Sequence, residues 1–216
     1  GLLIVLLGVN TNPGEDPEDM VSVRVWLEPD RVITTRRRRL LSVIDIARAL
    51  DDGDGPDRPG ALLAMLVDRL AERLGNFVDT IEDRLDSIED DIGSVTLESI
   101  RSRLSPLRRQ MAAVRRFLAP QRDALDRLYR QPVDFIKESD AHLMREEADR
   151  ITRYLEDLEL ARERAVAAAG RLGLGARGGK GALHLGLGLG DLHAAHAAAG
   201  GGLDDHRVPE IGADLL

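Results

Sequence analysis

No cysteine occurs anywhere in the chain, which excludes disulfide bonds and thiolate metal sites and is compatible with a reducing compartment. Aromatic residues are nearly as scarce, at 3% of 216 residues: one Trp, two Tyr and three Phe. So little bulky apolar material excludes one deep globular core, and with 31% charged residues the balance favours long, solvent-washed helices. Long apolar runs are missing too. Gly1 to Val9 (GLLIVLLGV) is apolar, but it lacks the basic flank and cleavage site of a signal peptide and falls well short of the roughly 20 residues a membrane-spanning helix needs. It reads as a buried strand, and the chain, which opens on Gly1, as starting inside a domain. A net charge of −8 argues against general binding to nucleic acid or anionic lipid.

Catalytic signatures are also lacking. There is no Gly-x-Ser-x-Gly, no Walker loop, no paired dinucleotide glycines and no His-Glu-x-x-His. Before Gly170 the only histidine is His142, near a helix start, so imidazole has almost no part in any metal site there. The chain is expected not to be an enzyme and to need no cofactor.

The patterning that is present begins with Val21 to Glu28 (VSVRVWLE). Val21, Val23, Val25 and Leu27 alternate with Ser22, Arg24 and Trp26, the period of a half-buried strand. Glu28 to Asp30 makes a turn, and Arg31 to Thr35 is a third, β-branched strand, completing a small antiparallel sheet. Asn10 to Asp19 (NTNPGEDPED) is turn-forming throughout and reads as an exposed hairpin loop. Its Glu15, Asp16, Glu18 and Asp19 either attract a cation or are simply solvated. Arg36 to Arg39 is a run of four arginines before a short helix, Leu41 to Leu50. Without accompanying aromatics in an acidic chain, that run is expected to pair with carboxylates of its own fold or of a neighbouring subunit rather than with nucleic acid.

Beyond the turn-rich linker Asp51 to Gly60 the period changes. Leu74, Val78, Ile81, Leu85, Ile88 and Ile92 recur in steps of four and three, a coiled-coil seam on a helix expected from Gly60 to Ile92 and broken at Gly93-Ser94. A second seam follows in Ile100, Leu104, Leu107, Met111, Val114, Leu118, Leu125 and Leu128, with Gln121 its one polar member. Pro106 is expected to mark a late start to this helix and Pro120 a kink. The first helix carries Asp79, Glu82, Asp83, Asp86, Glu89, Asp90 and Asp91; the second carries Arg101, Arg103, Arg108, Arg109, Arg115, Arg116 and Arg122. The two are expected to form an antiparallel hairpin with flank pairing to flank. A third long helix, capped by Ser139 or Asp140 and running to Ala169, continues the alternation in Met144, Ala148, Ile151, Leu155, Leu158 and Ala165.

Asp79, Asp83, Asp86 and Asp90 share one stripe of the acidic helix, opposite its seam. Hard cations prefer clustered oxygen ligands, so these four are candidates for cation attraction; the alternative is a solvated outer face. The organisation read from these patterns is an α+β fold: residues 1–59 as partial sheet and short helix, 60–136 as helical hairpin, 137–169 as a stalk helix and 170–216 as a Gly/Ala/Leu/His tail.

Four segments together carry a likeness: Gly8 to Asp19; MVSVRVWLEPDRVITTRRRRLLSV from Met20; RRFLAPQRDALDRL at Arg115 to Leu128; and REEADRITRYLEDLELARERA at Arg145 to Ala165. They resemble the cytoplasmic domain of CorA-type divalent cation transporters, with the ZntB zinc-transporter branch nearest in likeness, over Gly1 to Ala169. The resemblance implies part of an α/β/α cytoplasmic funnel domain in a homopentamer at the cell inner membrane. The last long helix would continue into a pore that passes Zn2+ or Mg2+. It also implies a second membrane helix and a Gly-Met-Asn motif, neither of which this sequence contains. On this reading the chain is the cytoplasmic part of such a transporter and does not conduct ions as it stands; the alternative is a soluble coiled-coil scaffold.

Two explanations of the tail stand side by side. Asp191 to Ala198 (DLHAAHAA) can be encoded so that a neighbouring frame reads Ile-Phe-Met-Pro-Leu-Thr-Leu-Leu, an apolar run, which makes a frameshift near Gly170 one of them. Under it His184, His193, His196 and His206 are accidental. A natural low-complexity tail is the other.

Overall fold

A computed structural model of the chain describes residues 1–171. Residues 172–216 of the tail, with its four histidines and the frameshift question, lie outside the described residues. The elements run β1 (Leu2–Gly8), β2 (Val21–Leu27), β3 (Val32–Arg36), α1 (Leu41–Asp51), α2 (Pro59–Asp90), α3 (Leu97–Arg130) and α4 (Glu138–Arg171).

The strands form an antiparallel meander in the order β1-β2-β3, with Ile4 opposite Val25 and Val25 opposite Thr34. β2 obeys its alternation: Val21, Val23, Val25 and Leu27 are buried, whereas Arg24 and Trp26 are exposed. β1 departs from the expectation of a fully buried strand. Its Ile4 and Leu6 enter the core, but Leu3 and Val5 are 59% and 45% exposed, because α2 and α3 pack against only one face of the sheet. Side chains two residues apart share a face, so covering one side buries only alternate residues.

Helix α2 starts with Pro59 in its first turn, where a missing N–H costs nothing, and ends in a turn that Gly93 closes at φ 96°. Helix α3 begins at Leu97, not at Pro106. Thr96 caps it by accepting a hydrogen bond from the Ser99 amide at 3.4 Å, and the helix runs uninterrupted through both Pro106 and Pro120. The carbonyls those prolines leave without an amide partner belong to Ser102 and Arg116, which are exposed, so water can satisfy them.

Helix α4 begins at Glu138, so Asp140 lies inside its first turn instead of capping it, and the helix continues past Ala169 through Gly170 to Arg171. The buried carboxylate of Asp140 accepts from Arg58 at 3.1 and 2.8 Å. Gly60 makes this approach possible: a Cβ there would lie 2.5 Å from Asp140 Oδ2.

The largest correction concerns the helix arrangement. α2 and α3 are antiparallel and joined by a short turn, as expected, but they meet mainly toward that turn, where Arg103 pairs with Asp91 and Arg84 Nη1 donates to Gln110 Oε1 at 2.9 Å. Along most of their length each packs against α4 instead. α4 runs parallel to α2, with Asp68 facing Arg150 and Asp86 facing Arg164, and antiparallel to α3, with Tyr129 facing Arg145 and Arg115 facing Glu159. Three seams therefore close on one another, and Leu85, Leu107 and Leu158 are all fully buried in the shared core. The sheet lies against α2 and α3, and a side-chain bond fixes it there: the Leu7 amide donates to Gln121 Oε1 at 2.7 Å.

Candidate functional site

The four aspartates of the stripe lie where their spacing placed them. Asp79, Asp83, Asp86 and Asp90 are all exposed, and the residues behind them, Val78, Ile81, Leu85 and Ile88, are all buried. The amphipathic period of α2 alone accounts for this. The tertiary fold supplies their partners. Arg164 of α4 reaches Asp86 and, at 2.9 Å, Glu89, and these two bonds raise its pKa. Only Asp86 of the four takes part in an ion pair among the described residues.

Glu82, between the stripe and α4, shows the field that these charges make. Burial first, and then the negative charges of Asp157, Asp79 and Asp86, hold its carboxyl above the usual range, with Arg164 opposing. Asp157 belongs to α4, so the acidic surface spans two helices, a feature that charge counting along α2 alone did not reveal. Among the described residues no group of three or more His, Asp or Glu side chains is arranged to enclose a metal ion. The surface can concentrate hydrated cations, but it lacks the convergent oxygen cage of an inner-sphere site.

Of the arginine run, only Arg38 pairs with carboxylates of its own fold among the described residues. Arg38 Nη1 lies 3.3 Å from Glu15 and 3.7 Å from Asp19, both in the β1–β2 loop. Glu15 also accepts from Asn10 Nδ2 at 2.6 Å. Two of the loop carboxylates considered for cation attraction thus neutralise Arg38.

A second polar cluster was not visible in the sequence. Asp68 on α2 and Asp140 and Glu147 on α4 line a cleft of about 380 Å³ with Arg58 and Arg69. Glu147 is 8% exposed. Arg150 Nη1 lies 3.2 Å from its Oε2, but that oxygen makes no hydrogen bond, so attraction offsets burial only in part. Burial therefore pushes the Glu147 carboxyl up, with Arg150 acting against it. Glu147 follows Met144 at three residues and precedes Ala148, which puts it at the edge of the α4 seam, and that position was the one available signal.

Across α4 from the acidic surface the sign of charge reverses. Arg115, Arg116 and Arg122 of α3 and Arg162 of α4 line a groove of about 610 Å³ floored by Ala112, Ala119 and Leu155. Glu159 within it pairs with both Arg115 and Arg162. No helix among the described residues is long and apolar enough to cross a membrane.

The described residues thus form a three-stranded antiparallel meander backed by three long, charge-lined helices. The family described as CorA-like Mg2+ transporter protein matches residues 1–172, and the chain belongs to that family. It is 42% identical over 164 residues to the divalent cation transporter CmaX of Pseudomonas aeruginosa, covering 76% of this chain and 49% of CmaX. It is 31% identical over 159 residues to the zinc transport protein ZntB of Pectobacterium carotovorum, covering 74% of this chain and 48% of that protein. Among solved structures, full-length CmaX superposes with a TM-score of 0.73 at 37% identity, over 80% of this chain and 53% of that one. The ZntB cytoplasmic domain from Vibrio parahaemolyticus shares the fold, with a TM-score of 0.71 at 24% identity over 80% of this chain and 68% of the domain. The chain spans about half the length of CmaX and ZntB.

Proposed function

We propose that this chain is the cytoplasmic part of a divalent cation transporter, with Zn2+ or Mg2+ as the transported ion, working as a homo-oligomer on the cytoplasmic side of the inner membrane. The observation that carries this reading is the family match over residues 1–172, which covers every described element of the fold. The similarity to CmaX and to ZntB, both named as transporters of metal cations, supports the ion class. The likeness to the ZntB cytoplasmic domain supports the side of the membrane.

On this reading the domain performs no chemistry on the ion. Asp79, Asp83, Asp86 and Asp90, joined by Glu82 and Asp157, raise the local concentration of hydrated cations through their summed field, which acts over about 8 Å at physiological ionic strength. Such a site discriminates charge and not ionic radius, because no fixed cage is present to reject the larger or the smaller ion.

The test is equilibrium dialysis of the chain with Zn2+ and with Mg2+, paired with thermal melts, repeated for the Asp79→Asn/Asp83→Asn/Asp86→Asn/Asp90→Asn variant. Weak, salt-sensitive uptake of both ions that the variant loses is the expected result. Indifference of the wild-type chain to both ions would remove the assigned role of the stripe. Transport itself is tested by joining residues 1–171 to the membrane half of CmaX and measuring cation flux into vesicles. A correctly inserted chimera that passes no divalent cation would count against the reading as a whole.

A further inference from the structure

The basic groove beside α4 and the acidic stripe of α2 carry the same repeat. Arg101, Arg108, Arg115 and Arg122 recur every seven residues on α3 and line two clefts that run in line along the α3–α4 seam. Glu72, Asp79 and Asp86 recur every seven residues on the exposed face of α2. Both series therefore present one charge per about 10.5 Å of helix.

Their heights match as well. The antiparallel register of α2 and α3 is fixed by Asp91 opposite Arg103 and Arg84 opposite Gln110. Continued along the pair, it sets Asp86 level with Arg108, Asp79 level with Arg115 and Glu72 level with Arg122. Within one chain these residues cannot meet, because they lie on opposite flanks of α4: Arg164 faces α2, while Glu159 and Arg162 face the groove. A second copy related by a rotation about an axis parallel to the helices would bring one flank against the other with no shift along the axis.

We propose that the α3–α4 groove receives the acidic face of α2 from a second copy of this chain, with Glu72, Asp79 and Asp86 of one copy set against Arg122, Arg115 and Arg108 of the next. Such a contact joins two different surfaces, so it propagates head to tail and closes when the rotation closes. Exposed ion pairs are individually weak, and the contact draws on three in register over the apolar floor of Ala112, Ala119 and Leu155. Arginines outnumber carboxylates in the larger cleft by four to two, so the groove retains positive charge after Glu156 and Glu159 are counted. The intramolecular partner Arg164 would extend the Asp86–Arg108 pair, and Glu159 the Asp79–Arg115 pair, into a three-charge cluster across the joint.

This contact rests on the oligomeric part of the proposed function and specifies the surfaces that make it. Sedimentation velocity of the full chain at low and high salt is the test, using Asp79→Arg/Asp86→Arg, Arg108→Glu/Arg115→Glu and an equimolar mixture of the two. Wild type is expected to self-associate at low salt and less at high salt, each variant alone to associate about tenfold more weakly or not at all, and the mixture to recover. Circular dichroism verifies folding, and Asp79→Asn/Asp86→Asn replaces the reversal if that variant unfolds. A wild type that stays monomeric at every salt, variants that associate like wild type, or a mixture that fails to recover would each overturn the contact. So would a monomeric wild type whose groove binds an added acidic helical peptide in an Arg108- and Arg115-dependent way, since the occupant is then another protein. A monomer that still takes up Zn2+ or Mg2+ sinks the contact and leaves the cation reading intact; since the contact covers Asp79 and Asp86, the reverse outcome is an associating wild type whose dissociated Arg108→Glu/Arg115→Glu variant is still blind to both ions.

Discussion

Asp140 on α4 accepts hydrogen bonds from both Nε and Nη2 of Arg58, 82 residues earlier in the chain, at 3.1 and 2.8 Å. The fork fixes the start of α4 to the start of α2, with Gly60 as the space through which the carboxylate approaches. Replacing Arg58 with Ala should lower the melting temperature more than the double change Arg58→Ala/Asp140→Ala, because the single change leaves a buried carboxylate without its partner. Melting of wild type, Arg58→Ala, Asp140→Ala and the double variant completes the cycle, and additive losses would show that the fork is incidental.

Gln121 Oε1 is the acceptor for the Leu7 amide, at 2.7 Å. Gln121→Leu fits the apolar seam by shape but strands that N–H, at a cost of about 1–3 kcal/mol. Urea unfolding measures the loss, and faster hydrogen exchange at Leu7 should accompany it. An unchanged midpoint would mean that water takes over the role.

The two sides of α4 should respond very differently to truncation. Leu158 is fully buried and Leu160 is 60% exposed. Leu158→Ala should cost about 2–5 kcal/mol, whereas Leu160→Ala should stay within about 0.5 kcal/mol. Equal effects in chemical denaturation would refute the placement of α4 against both α2 and α3.

Glu147 gives a pH dependence of defined sign. Burial holds its carboxyl above the ordinary value of 4.5, so the folded state binds the proton more tightly than the unfolded chain does. Its contribution to stability is full below that ordinary value and is lost as pH rises through the raised folded value. Glu147→Gln should therefore be more stable than wild type at neutral pH, with the gap narrowing in acid. Melting temperatures across pH decide; a less stable variant at neutral pH would mean that Arg150 outweighs burial.

Several elements were legible in the residues because they depend on local period. The alternation in Val21 to Leu27 and the four-three seams of α2, α3 and α4 reappear as burial, since apolar spacing dictates which face turns inward. The stripe of Asp79, Asp83, Asp86 and Asp90 was legible for the same reason. Pro106 misled: a proline forbids one hydrogen bond, and the helix tolerates it where the freed carbonyl meets water.

Partner choice was not legible. Net charge made α2 and α3 look like mates, but α4 also presents a full apolar seam, and burying three seams together removes more surface from water than burying two. Exposed charges, worth little each, then pair with whatever the packing brings near, so Asp86 meets Arg164 and Arg115 meets Glu159.

The sequence by itself determined the strands, the helices, their inward faces and the charge each outer face bears, because these follow from spacing along one backbone. Only the tertiary structure decided that α4 separates an acidic flank from a basic one, because that depends on how three seams share a single core.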